Sequence, residues 1–213
     1  ARGLGDVYKR QMLDTRLWPR CAALAERFWS PASVRDEASL ARRLPVVQSE
    51  LEMLGNHASA DSHRMMVRLA PDDTAPLSVL LSVTSPVRNY AHNHVFGPSR
   101  VAPTLQARPL DHAADIASPD SFAAAAFERD VRAYLAGRHD LLASLRARLE
   151  TWRGNDSRLR GMAATDPALR EALPASAQLA QLAQAGLDAL NAAPAGWRER
   201  AEAAVSMARA QFD

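Results

Sequence analysis

The sequence predicts a mainly α-helical chain, and three observations carry that prediction. Apolar residues recur at steps of three and four over long stretches, the period of a helix face rather than of a strand. Proline and glycine, at Pro31, Gly55, Pro71 and Pro86, fall at the ends of those stripes and punctuate them. Alanine fills many positions of the second half, where it raises helix propensity and permits close helix approach.

The densest stretch is Leu17 to Ser30, L-W-P-R-C-A-A-L-A-E-R-F-W-S. Pro19 suits a first helical turn, where a missing N–H is no loss, so a helix should start there. At about 100° per residue, Cys21, Ala22, Leu24, Ala25, Phe28 and Trp29 fill one broad arc, with Arg20 and Arg27 opposite. Two large aromatics among alanines call for burial against a wide apolar wall, a sheet or a barrel, rather than a narrow coiled-coil seam.

The segment Val34 to Gly55 carries Leu40, Leu44, Val47, Leu51 and Leu54 on one stripe. Ser33 or Asp36 can cap its start, Gly55 can stop it, and Pro45 should kink it or split it in two. Ala60 to Ala70 reads as a short helix with Met66, Val67 and Leu69 for packing, and Pro71 ends it. Leu77 to Val83 reads as helix, with Thr74 as cap and Pro76 in the first turn. Ser85 to Pro109 is rich in proline and asparagine and reads as a long irregular connection.

Downstream, Ser121 can cap a helix running toward Trp152, with Phe127, Val131, Tyr134, Leu141, Leu145 and Leu149 on one side and a break at Gly137. Gly154 to Pro174 reads as a link with a shorter helical pattern around Leu159 and Leu169. Leu179, Leu182, Gly186 and Leu190 stripe a second helix, and Trp197, Ala201, Ala204, Val205 and Ala208 a third. Antiparallel packing of these helices into a bundle is the economical arrangement.

Composition narrows the function. At 213 residues and 47% hydrophobic, the chain can bury a core as one or two domains. Its apolar runs are too short to span a bilayer. The net charge of +2 comes wholly from residues 1–11, where Arg2, Lys9 and Arg10 face Asp6, so no basic surplus remains to hold nucleic acid. Asp6 to Gln11, D-V-Y-K-R-Q, resembles the in-frame translation of a transposon-end sequencing adapter, and Lys9 is the single lysine of an otherwise arginine-only chain. Residues 1–11 are therefore expected to be non-native, with native sequence beginning near Met12 as the C-terminal fragment of a longer protein.

No constellation of side chains reads as a catalytic, substrate-binding, metal or cofactor site. Cys21, on the apolar arc, reads as a small core residue rather than a nucleophile. The H-x-H pair His92 and His94, near Tyr90, lacks a third ligand at a recognised spacing. Asp166 and Glu171 have no cleft or tryptophan between them to make a glycosidase pair. Glu26 fits a helix position pairing with Arg20 or another arginine.

The Leu17 to Ser30 stretch, preceded by L-D-T-R and followed by S-V-R-D, resembles the end of the catalytic barrel in family 20 β-N-acetylhexosaminidases. Their W-P-R-A-x-A-x-A-E-R-L-W-S signature is matched by Trp18, Pro19, Arg20, Ala23, Ala25, Glu26, Arg27, Trp29 and Ser30, with Cys21 and Phe28 in place of alanine and leucine. The likeness runs through Leu54-Gly55 and then thins. The P-V-R-N-Y-A-H-N-H segment and the helices beyond are similar, on looser pattern, to the C-terminal extension of some bacterial members.

The resemblance implies the last helix of a (β/α)8 barrel over residues 12–56, a linker with short helices over 57–110, and a helical bundle extension over 111–213. It further implies a parent glycoside hydrolase that acts on terminal N-acetylhexosamine residues of glycans by substrate-assisted retaining catalysis, exported to the periplasm or secreted. The catalytic Asp-Glu pair belongs to an earlier strand, so the fragment itself is expected to be inactive. The family's W-G-E acid would fall near position 6, where Asp6 stands without the motif's other residues and takes no role. Trp18, Pro19, Arg20, Glu26, Arg27 and Trp29 are then a structural signature. The competing reading is an autonomous all-α binding or scaffolding domain.

Overall fold

The computed structural model describes residues 14–85 and 112–210. The expectations for residues 1–11 and for Pro86, Tyr90, His92 and His94 lie outside the described residues. Among the described residues all regular structure is helical, without a strand. The chain divides into two compact units, one spanning 1–65 with 104–110, the other 66–103 with 111–213.

In the first unit a helical turn at 14–17 leads into α1 (Arg20–Trp29), α2 (Glu37–Met53) and the start of α3 (Ala58–Leu69). Pro19 stands at the N-cap of α1, its carbonyl accepting from the Ala22 and Ala23 amides. Asp36 caps α2, its carboxylate accepting from the Ser39 amide at 2.9 Å. Pro45 does not split α2, which runs on through it to Met53; the missing N–H removes one ladder bond without ending the helix. Gly55, at φ +98°, closes the helix. Its N–H donates to Glu52 and that of Asn56 to Leu51, the Schellman arrangement that a left-handed residue makes possible.

Asn56 then caps the next turn by accepting from the Ala58 amide. Asp61, 1% exposed, lies in the first turn of α3, where the helix dipole favours a carboxylate, and pairs with Arg64. The buried residues of α3 are Ala58, Asp61, Met65 and Leu69. The stripe is displaced from the predicted one, and Val67 is exposed.

The second unit is a helical bundle. It comprises α4 (Ala75–Val83), a short α5 (Ala113–Ile116), α6 (Phe122–Leu135), α7 (Leu142–Thr165), α8 (Leu173–Leu190) and α9 (Trp197–Ala210). Short 3-10 turns at His139–Leu141 and Pro167–Ala172 join α6 to α7 and α7 to α8. Ser121 caps α6 through the Ala124 amide, and Gly137, at φ +104°, ends it with the same pair of backbone bonds seen at Gly55. The predicted link at Gly154 does not exist, because α7 continues through Gly154 and Gly161 to Thr165. Buried side chains on either side, Leu149 and Leu159, hold those glycines in helix.

Helix α7 is the axis of this unit. Asn155 donates to the Pro76 carbonyl at 2.9 Å and Arg158 pairs with Asp73 at 3.0 Å, setting α4 antiparallel to it. Arg148–Asp130 at 2.6 Å and the edge-on contact of Phe127 with Trp152 set α6 antiparallel as well. Arg146–Asn191 and Arg153–Gln184 do the same for α8. The Trp197 indole donates to the Ala185 carbonyl at 2.6 Å, laying α9 on α8. The most buried row of α8 is Ser176, Ala183 and Leu187 rather than the predicted leucine stripe, since α8 is covered by neighbours on two sides.

The core closes over Leu77, Leu80, Leu145, Leu159 and Leu169, each at most 2% exposed. Leu159→Ala should therefore cost about 2–5 kcal/mol in urea unfolding. Leu24→Ala, on α1, should change stability by less than about 0.5 kcal/mol.

Candidate functional site

The candidate site is α1 with the turn that carries it into α2, since these residues hold the sequence signature. One flank of α1 is tied down by polar contacts. The Glu26 carboxylate meets the Arg43 guanidinium of α2 in a two-pronged ion pair, with Nη2 donating to Oε1 at 2.7 Å and Nη1 to Oε2. Arg43 also donates through Nε to Ser39 at 3.3 Å. Arg27 reaches across the turn and donates to the Val34 carbonyl at 2.7 Å, and Arg35 donates to Ala32 at 2.9 Å. These contacts enclose an open pocket of about 340 Å³ between Glu26, Arg27, Ser30, Asp36, Glu37 and Leu40.

The ion pair sets the protonation of its members. The Arg43 hydrogen bonds hold the Glu26 carboxyl below its ordinary value of 4.5, and Glu26 in turn pushes the Arg43 guanidinium further up, with Asp36 adding a smaller push. Glu26 is thus a committed carboxylate at neutral pH, locked to an arginine, and not poised to deliver a proton.

The arc predicted to be buried is not buried within this chain. Leu24 is 56%, Phe28 81% and Trp29 89% exposed, and α1 contains no buried residue. Cys21 is half-buried rather than a core residue. The other carboxylates of interest serve as structural acceptors. Asp166 caps the 3-10 turn through the Ala168 amide at 2.9 Å. Glu171 holds the Ala113 amide and the His112 ring, each at 2.6 Å. Among the described residues, no group of three His, Cys, Asp or Glu could hold a metal ion, and no helix is long and apolar enough to cross a membrane.

Sequence reasoning named Glu26 as an ion-pair partner but missed Arg43. The available signal was the spacing of Arg43 from the Asp36 cap, which puts it on the second turn of α2 facing back toward α1.

No family model matches the chain, and no curated protein matches it. Among solved structures, the chain is similar to "X-ray Structure of Flavobacterium johnsoniae chitobiase (FjGH20)", with a TM-score of 0.79 and 26% identity. The match covers 92% of this chain and 30% of that chain, so this chain spans less than a third of that protein's length.

The Glu26 assignment makes a titration test. A carboxyl whose folded value is depressed contributes stability at neutral pH and loses it as pH falls through the ordinary range toward the folded value. The Glu26 side-chain carboxyl carbon followed by NMR should titrate with a midpoint below 4.5, and Arg43→Gln should bring the midpoint back up to that value. A wild-type midpoint at or above 4.5 would show that the pair does not form in solution.

Proposed function

We propose that this chain is the C-terminal part of a β-N-acetylhexosaminidase, a glycoside hydrolase that releases terminal N-acetylhexosamine from glycans. The observation that carries the reading is the match of 92% of the chain to a GH20 chitobiase at TM-score 0.79. The W-P-R signature of Trp18 to Trp29 supports it, as does the outward turn of Leu24, Phe28 and Trp29. A helix that ends a β/α barrel needs such a face, because the barrel wall covers it.

In this reading the chain supplies structure and not chemistry. Glu26 is held by Arg43, and Asp166 and Glu171 accept from backbone amides. Substrate-assisted retaining catalysis would belong to residues upstream of Met12: an Asp that orients the acetamido group and a Glu that acts as acid and base. Trp18, Pro19, Arg20, Glu26, Arg27 and Trp29 position the last helix. Glycans would be the substrates of the parent, and the parent would be periplasmic or secreted.

A second reading, an autonomous all-α binding domain, draws on one feature of the bundle. An apolar groove of about 380 Å³ opens between α6, α7 and α8, lined by Val131, Tyr134, Leu145, Leu182 and Leu190. Enzyme assay separates the two readings. The isolated chain should release no detectable p-nitrophenol from p-nitrophenyl N-acetyl-β-glucosaminide, while the full-length gene product should. Turnover by the isolated chain would refute its purely structural role, and an inactive gene product without an H-x-G-G-D-E-like stretch upstream of residue 12 would favour the binding domain.

A further inference from the structure

The bundle carries a concave site of its own. Helices α6 and α8 both lie along α7 and leave between them the apolar groove of about 380 Å³, a size that suits a small ligand. Leu145 and Leu149 of α7 make its floor and are 1% and 5% exposed, while its walls run from Phe127 to Leu135 on α6 and from Leu182 to Leu190 on α8. Eight helical steps along each wall give a length of about 12 Å.

The two ends of this groove differ in kind. Phe127 and Leu182 make one end apolar, with Trp152 edge-on to Phe127 at 4.7 Å between ring centroids. The other end, where α6 and α8 finish and α7 begins, is polar. There Tyr134 meets the His139 ring edge-on at 5.3 Å. Arg146, next to the floor residue Leu145, donates at 2.7 Å to Asn191, next to the wall residue Leu190. Among the described residues that neutral amide is the acceptor Arg146 has, and the Tyr134 hydroxyl has no hydrogen-bond partner. The carboxylates flanking this end are already engaged, Asp130 by Arg148, Asp140 by Arg138 and Asp188 by Gln184.

We propose that the groove binds a free, medium-chain aliphatic monocarboxylate, with its tail lying between α6 and α8 over Leu145 and Leu149 and its carboxylate accepting from Arg146. A cationic head group would face the guanidinium, and a neutral one would leave it without a counter-ion, so the charge selects the anion. The site lies wholly within the bundle and stands whether or not the parent is a hexosaminidase.

Titration calorimetry and amide shift mapping on the full chain test this at neutral pH, with decanoate below its micellar concentration as the probe. Decanoate should saturate a single site and shift the amides of Tyr134, Leu149, Leu182 and Leu190. Decanol should bind about tenfold more weakly, the worth of a hydrogen bond to a charged group, and decylamine more weakly still. Arg146→Gln keeps a donor for Asn191; it should bind decanoate about tenfold more weakly and decanol within about twofold of wild type. Ala189→Trp, placed on the exposed rim of the groove, should block both ligands without lowering the melting temperature. Equal affinity for the three head groups in the wild-type chain would overturn the proposal by reducing the groove to an unselective apolar surface, and this comparison needs no variant to fold. Absence of saturable binding, shifts confined to α1, or undiminished decanoate binding by a folded Arg146→Gln chain would overturn it as well. So would concentration-dependent shifts at the same four residues without ligand, which would assign the groove to a second copy of the chain.

Discussion

Everything in the bundle depends on α7 having to bury three sides at once. A helix of this length with alternating charges has little amphipathic bias of its own, and it is held because α4, α6 and α8 each take one of its faces. Leu145, Leu149 and Leu159 point into those contacts, and the buried Asn155 donates its side-chain amide to the Pro76 carbonyl in the first turn of α4. Arg146, Arg148 and Arg158 of α7 then fix register, with acceptors at Asn191 after α8, Asp130 of α6 and Asp73 before α4. The apolar contacts supply the stability and the polar ones choose among the ways the helices could slide.

The first unit is assembled on the opposite plan. Its helices bury little, and α1 is joined to α2 through charge: a two-pronged carboxylate–guanidinium pair and an arginine that spans the turn. Ion pairs at this degree of exposure orient more than they stabilise. An oriented helix that leaves its aromatic face outward makes physical sense as one component of a larger surface, which is what the proposed function requires of it.

Local chemistry in the sequence anticipated much of this, and the reason is visible position by position. Asp36 and Ser121 cap where their side chains can reach an amide three residues on, and Gly55 ends its helix because a left-handed residue is needed there. What the sequence could not convey depended on neighbours. Pro45 and Gly154 looked like breaks and are carried through as helix. The buried row of α8 shifts because two helices cover it. The α1 arc has the composition of a buried face, yet composition alone does not say whether the covering wall lies in the same chain. For the site, the Glu26 role was readable from its place on a helix, while its partner Arg43 depended on how α1 folds back on α2.

Hydrogen exchange on α1, compared between this chain and the longer hexosaminidase proposed to contain it, tests the central claim most directly. With its aromatic face open to water in this chain, α1 should exchange faster than α7, and in the proposed parent its amides should gain at least tenfold protection from the barrel wall. Equal protection of α1 in the two proteins, at the level of α7, would contradict the account, because it would mean that the helix needs no wall beyond the one this chain provides.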